Sequence, residues 1–189
     1  IYYLGGKMGL NGEESITTRL YAPKTVSFQK TYLFENDERN QREEPLAIQY
    51  QIANTEKNNL GVPLPQGKIQ LYQLGTNDAF VGEDEVRQVP KGATATIISG
   101  RAFDVVGKRT VLNYDRQQKS EEGSISIEVT NTLNTEIKVR LIEHIFGDWV
   151  IRDTSANYRK KDASTIHIPL TIPANGSQTV TYTYRKEWN

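Results

Sequence analysis

Apolar and polar residues alternate with period two along most of this chain, the pattern of strands that bury one face. The alternation is clearest over 16–21, 26–34, 47–54, 68–74 and 94–99 in the first half. The second half adds 110–114, 124–131, 136–145, 165–170 and 178–185. Turn signals separate these runs: Asn11-Gly12, Pro63-Leu64-Pro65-Gln66-Gly67, Gly75-Thr76-Asn77-Asp78, Pro90-Lys91-Gly92 and Pro173-Ala174-Asn175-Gly176. One stretch, 35–44, has the length of a helix but no apolar residue to bury, and Pro45 would end it. It reads as a solvated hairpin tip. The pattern predicts an all-β chain with antiparallel β-sandwich architecture.

The chain also repeats itself. Ile48, Tyr50, Ile52 and Asn54-Thr55 match Ile125, Ile127, Val129 and Asn131-Thr132 at a constant offset of 77. Each run precedes a second strand, at 68–72 and 138–142, and later a proline turn, at Val89-Pro90 and Ile172-Pro173. Two associated sandwich-like lobes follow, 1–105 and 106–189, joined by a charged strand, with one continuous domain as the alternative. The expected core is Ile48, Tyr50, Ile52, Ile69, Leu71, Ile125, Ile127, Val129, Val139, Leu141, Trp149, Ile166, Ile168, Val180 and Tyr182.

Composition narrows the reading. Val, Ile, Thr, Tyr, Phe and Trp number 63, against 23 Ala plus Leu, which favours sheets. Charge is balanced at 23 basic and 23 acidic residues, which argues against a nucleic-acid partner. Cysteine is absent, so disulfides, thiol nucleophiles and thiolate–zinc sites are excluded. The longest apolar run, Ile1-Tyr2-Tyr3-Leu4, is far short of a membrane span. The chain opens as if in mid-strand and without an initiator methionine, so a fragment of a longer protein is expected.

Candidate chemistry is sparse. His144 and His167 alternate with apolar neighbours and point outward, as surface histidines do. No nucleophile elbow, phosphate loop, dinucleotide fingerprint or metalloprotease motif occurs. The acidic segment 78–85 fails the calcium-loop pattern, because Ala79 and Val81 fall where oxygen ligands are needed. An irregular cation site from Asp78, Glu83, Asp84 and Glu85 is the alternative to a solvated turn. Arg159-Lys160-Lys161 is a basic loop edge balanced by Asp162, and Asn175-Gly176-Ser177 reads as a turn. Trp149 reads as a core aromatic, and Trp188 as an edge-closing or exposed one. No catalytic, cofactor-binding or metal-binding residue is assigned.

Several longer phrases carry a resemblance. They are residues 60–72, Phe80-Val81-Gly82-Glu83-Asp84, Gly100-Arg101-Ala102-Phe103-Asp104-Val105, the run from Tyr158 through Asp162-Ala163-Ser164-Thr165-Ile166, and Thr181-Tyr182-Thr183-Tyr184-Arg185. In order and spacing they resemble the C-terminal domain of the mucoidy-inhibitor-like family, a bacterial domain of unknown function, over about Phe34 to Trp188. The resemblance implies an all-β fold and an extracytoplasmic setting (periplasm, envelope or cell surface), and supplies no catalytic residues. The expected function is a non-catalytic structural or protein-interaction module of a bacterial envelope or surface protein, with an unidentified protein partner and self-association through β edges. The alternative is a hydrolase using carboxylates such as Asp78, Glu83, Asp84 or Asp104.

Overall fold

The computed structural model describes residues 12, 13, 15, 17–75 and 79–188. The expected turn residue Asn11, the start of the 16–21 strand, and Asn77 and Asp78 lie outside the described residues; 17–21 is not a strand. The strands are β1 (Gln29–Asp37), β2 (Arg42–Ala53), β3 (Gly67–Gln73), β4 (Ala79–Val86), β5 (Thr94–Arg116), β6 (Ser120–Asn131), β7 (Ile137–His144), β8 (Trp149–Thr154), β9 (Arg159–Lys160), β10 (Thr165–Ile172) and β11 (Gly176–Glu187). A single 3₁₀ turn, Glu56–Asn58, is the one helical element among the described residues. No helix here is long and apolar enough to cross a membrane. The fold is all-β.

Nine strands form one sheet in the order β8-β11-β6-β5-β2-β1-β7-β10-β9, and β3 and β4 form a separate hairpin. The large sheet curls until β10 packs across the core from β6 and β11. Its two edges nearly meet. The indole N–H of Trp149 on β8 donates to the Ala163 carbonyl at 2.9 Å, and the Lys160 ammonium of β9 sits 4.2 Å above the same ring. Inside lie Tyr32, Phe34, Val105, Ile125, Ile127, Val129, Val139, Leu141, Ile166, Ile168 and Val180, all buried. The smaller lobe is the β3–β4 hairpin laid against β5, over Val89, Ala95 and Ile97. Gly82 makes this possible: a Cβ there would lie 2.1 Å from the Ser99 carbonyl oxygen.

Several expectations are corrected. The ladder is not purely antiparallel: β1 pairs β7 in parallel from Tyr32–Val139 to Asp37–His144. The paired residues lie more than a hundred positions apart in the chain, so no tight turn imposes an antiparallel return. The runs 94–99 and 110–114 are one strand, β5, which takes the place of the charged strand expected to join the lobes and runs through positions 105–106. A register shift opposite Pro45 and Leu46 bends this long strand as it passes between lobes. The acidic segment is not a turn but β4, where hydrogen bonds to β3 hold it extended. Tyr50, Ile52, Ile69 and Leu71 are half-buried rather than buried, because one hairpin covers the small lobe where several strands enclose the large one; Ile48, also half-buried, packs at the margin of the large core.

The repeated sequence corresponds to a repeated device. Asn54, just past the end of β2, and Asn131, the last residue of β6, are both fully buried. Asn54 Nδ2 donates to the carbonyls of Val62, Val89 and Pro90, while its Oδ1 accepts the Gly61 N–H. Asn131 Nδ2 donates to the carbonyls of Thr135 and Pro173, and its Oδ1 accepts the Leu133 N–H. In each copy the amide fastens the strand end to a proline turn. Each turn has its third residue, Gly92 or Asn175, in the left-handed region.

Candidate functional site

At one end of the large lobe, the inward positions of five strands change from apolar to polar. On β1, Asn36 follows Tyr32 and Phe34; on β5, Arg109 follows Val105 and Gly107; on β7, Glu143 follows Val139 and Leu141. On β11, Tyr182, Tyr184 and Lys186 follow Val180, and on β6, Glu121 precedes Gly123 and Ile125. Alternation alone directs all of these side chains into the same interior.

Glu143 is the centre. Its carboxylate is fully buried, and both oxygens are occupied by donors of this chain. Oε2 accepts Arg109 Nε at 2.9 Å and the Tyr182 hydroxyl at 2.5 Å, and lies 2.8 Å from Arg109 Nη2; Oε1 accepts Asn36 Nδ2 at 3.0 Å. The guanidinium of Arg109, also buried, spends its other donors on the carbonyls of Glu38 and Asn40 and on the Tyr182 oxygen. Burial raises the pKa of Glu143 against the pull of Arg109, Tyr182 and Asn36. Burial and the adjacent carboxylate push the Tyr182 phenol far upward, so it remains a donor.

A second carboxylate sits beside the first cluster. Glu121 accepts the Tyr184 hydroxyl at 3.0 Å, the Tyr114 hydroxyl at 2.8 Å and Arg39 Nη2 at 2.9 Å, with the Lys186 ammonium 3.7 Å away. Burial alone would raise its pKa, but the two phenols, Lys186 and Arg39 together hold it below the usual carboxylate range. Gly123 leaves room for this arrangement, since a Cβ there would meet the Tyr184 ring at 2.5 Å. Lys186 also pairs with Glu38, whose carboxylate accepts the Phe146 N–H at 3.0 Å.

The β1–β2 tip is the hairpin tip the sequence predicts, with alternate residues exposed, but it is tied to the sheet. Glu35, Glu38, Arg39 and Asn40 are fastened to β5, β6, β7 and β11 through charged groups. Ten residues with no apolar member are thus held to the sheet by ion pairs and hydrogen bonds, while Glu35, Asp37, Arg39, Gln41 and Glu43 stay exposed. His144 joins this latch: Nε2 lies 2.7 Å from Glu35 and Nδ1 3.1 Å from the Thr165 hydroxyl. His167 stands apart on β10, half-buried, its pKa lowered by burial and by Arg140 and Lys161.

The acids named from sequence do not converge. On β4, Glu83 and Glu85 are exposed, while Asp84 points to the opposite, half-buried face. Glu83 is held by Lys68 at 3.1 Å and lies 3.4 Å from the Gln70 amide; Asp84 accepts the N–H groups of Ile98 and Glu85, each at 2.8 Å. Asp104 is exposed on β5. Among the described residues no three acidic or histidine side chains are grouped to hold a metal ion. Arg159 and Lys160 form the edge strand β9, and Asn175 turns the chain into β11, its N–H bonded to the Leu133 carbonyl at 2.9 Å. Trp188 is partly exposed and donates to the Gln118 carbonyl at 3.1 Å.

No protein-family profile matches the chain, and no curated protein does. Among solved structures, the NMR structure of the folded domain of Mycobacterium tuberculosis LppM is similar at a TM-score of 0.27 and 7% identity, covering 91% of this chain and 97% of that one. A likeness at that level carries no argument about fold or function.

Proposed function

We propose that this chain is a non-catalytic β module that serves in protein interaction within a bacterial envelope or surface assembly. The observation that supports this reading is the state of its two enclosed carboxylates. A general acid or base must reach its substrate and exchange a proton with it. Glu143 is sealed from solvent and both its oxygens are taken by Arg109, Tyr182 and Asn36. Glu121 is likewise held by two phenols and two cations. These acids hold strands together. The hydrolase candidates Glu83, Asp84 and Asp104 are separated on two strands and make bonds within the chain or face water. A β module with edge strands and polar loops binds through those features and needs no catalytic group.

The extracytoplasmic setting and kinship with the mucoidy-inhibitor-like domain are part of the same proposal and rest on the sequence phrases that carry the resemblance. Affinity capture from a bacterial envelope fraction, with the chain immobilised and a heat-unfolded control, tests the reading. A protein retained reproducibly by the folded chain alone supports it. Hydrolysis of a glycan or ester panel that is lost in Glu83→Gln, Asp84→Asn or Asp104→Asn would overturn it.

A further inference from the structure

Sheet edges are exposed rows of backbone donors and acceptors, and stable proteins guard them. Those of the large sheet are guarded. Strand β8 carries a bulge at Arg152 against β11 and presents Arg152 and Asp153. Strand β9 is only Arg159–Lys160, with Lys161 next. Beyond it, β10 turns Pro169 to the open side: Thr165, in phase with it, gives its carbonyl to Lys161, so Pro169 stands where an edge N–H would be.

Strand β3 is guarded least. It runs seven residues, Gly67–Gln73, without a proline, and the irregularity in its pairing with β4 places the extra residue, Val81, on β4. Its one charge is Lys68. Among the described residues it pairs with β4 alone. We infer that β3 pairs antiparallel with β3 of a second copy of this chain, about a two-fold axis through Gln70.

The sequence of β3 supports that occupant over others. A two-fold at Gln70 uses the whole strand, setting Gly67 opposite Gln73 of the second copy and Lys68 opposite its Tyr72. Ile69 then meets Leu71, and Gln70 meets itself. No like charges face each other, which is the main penalty in cross-strand pairs. Lys68 gains an aromatic ring beside its bridge to Glu83. Ile69 and Leu71, half-buried within one chain, lie on the same face and continue each other across the axis. The exposed Tyr72–Phe80 pair, stacked edge to face at 5.5 Å, flanks the seam on the other side. The product is a four-stranded sheet, β4-β3-β3-β4. This inference concerns self-association alone and does not depend on the envelope partner proposed above.

The absence of native cysteine permits a direct test. Directly opposed residues in an antiparallel pair stand about 4.5–5.5 Å apart at Cα, within disulfide range. Under mild oxidation Gln70→Cys should form a covalent dimer roughly tenfold or more faster than Arg159→Cys on the guarded edge, because pairing raises the local thiol concentration. Lys68→Cys and Tyr72→Cys should cross-link when mixed and far less when oxidised separately. The unmodified chain should show concentration-dependent mass by sedimentation equilibrium, and Gln70→Lys, which sets two ammonium groups face to face, should abolish it. The inference is overturned if Gln70→Cys cross-links no faster than the control, or if the unmodified chain is monomeric across the concentration series.

Discussion

At the scale of single residues, the arrangement around Glu143 sets a clear energetic expectation. A buried ion pair adds little net stability over apolar packing, but breaking one by removing a single partner is costly. Glu143→Leu, which strands the Arg109 guanidinium, should destabilise the chain by about 3–5 kcal/mol in urea unfolding. Adding Arg109→Met should recover a substantial part of that loss; additive losses would show that the two side chains are not coupled. Glu121 makes a pH prediction. Its pKa is lower folded than unfolded, so its contribution is complete above the unfolded value and lost as pH falls through the folded one. Glu143, raised by burial, works in the opposite sense. The urea midpoint of the unmodified chain should therefore fall more steeply below about pH 5 than that of Glu121→Gln. Parallel pH profiles would refute this. Both acids were legible in principle: Glu143 continues the series Ile137, Val139, Leu141, and Glu121 the series Ile125, Gly123. A charged residue at an inward position reads as a break in the pattern, and only the distant partners, Arg109 and Tyr182, make its burial affordable.

At the scale of elements, alternation located strands well where one face is fully enclosed and poorly where it is not. Strands β6, β7, β10 and β11 bury the residues their periodicity selects. In β2, register shifts at Pro45/Leu46 and between Ala47 and Gln49 disturb the alternation, and burial passes from Leu46 to Gln49. Strand β4 is not legible in the sequence, because Gly82 and three consecutive acids read as a turn. Its extension depends on β3 and on the close approach of Gly82 to β5, neither of which is local. Gly82→Ala should accordingly loosen the hairpin. Hydrogen exchange at the Ile98 N–H, which bonds Asp84, should speed up while β6, β7 and β10 stay protected; unchanged exchange there would mean the hairpin tolerates the added carbon. The two asparagine clamps offer a matched pair. Asn54→Ala and Asn131→Ala each orphan buried backbone groups and should each cost about 1–3 kcal/mol. A cost at only one would show that the shared geometry does not carry equal weight in the two lobes.

At the scale of the whole molecule, the two halves of the chain share the core of the large sheet. Tyr32, Phe34, Leu46 and Val105 come from the first half of the chain, and Ile125, Ile127, Leu141 and Ile168 from the second, yet all belong to one buried cluster. Strand β1 bonds to β2 on one side and to β7 on the other, and β5 pairs with both β2 and β6. The latch at the polar end ties Glu38 and Arg39 to Lys186 and Glu121 across the same division. Cutting the chain in the turn at Gln117–Lys119, where β5 passes to β6, therefore divides one core between two fragments. Neither 1–118 nor 119–189 should unfold cooperatively alone, since each would expose the apolar face that the other covers. Mixed in equal amounts, they should regain a sharp thermal transition and the protected amides of β5 and β6, because the ladder from Val105–Asn131 to Arg116–Glu121 joins residues on either side of the cut. A sigmoidal unfolding curve from 119–189 by itself would establish the second lobe as an independent domain and place the division between the repeats rather than across a shared interior.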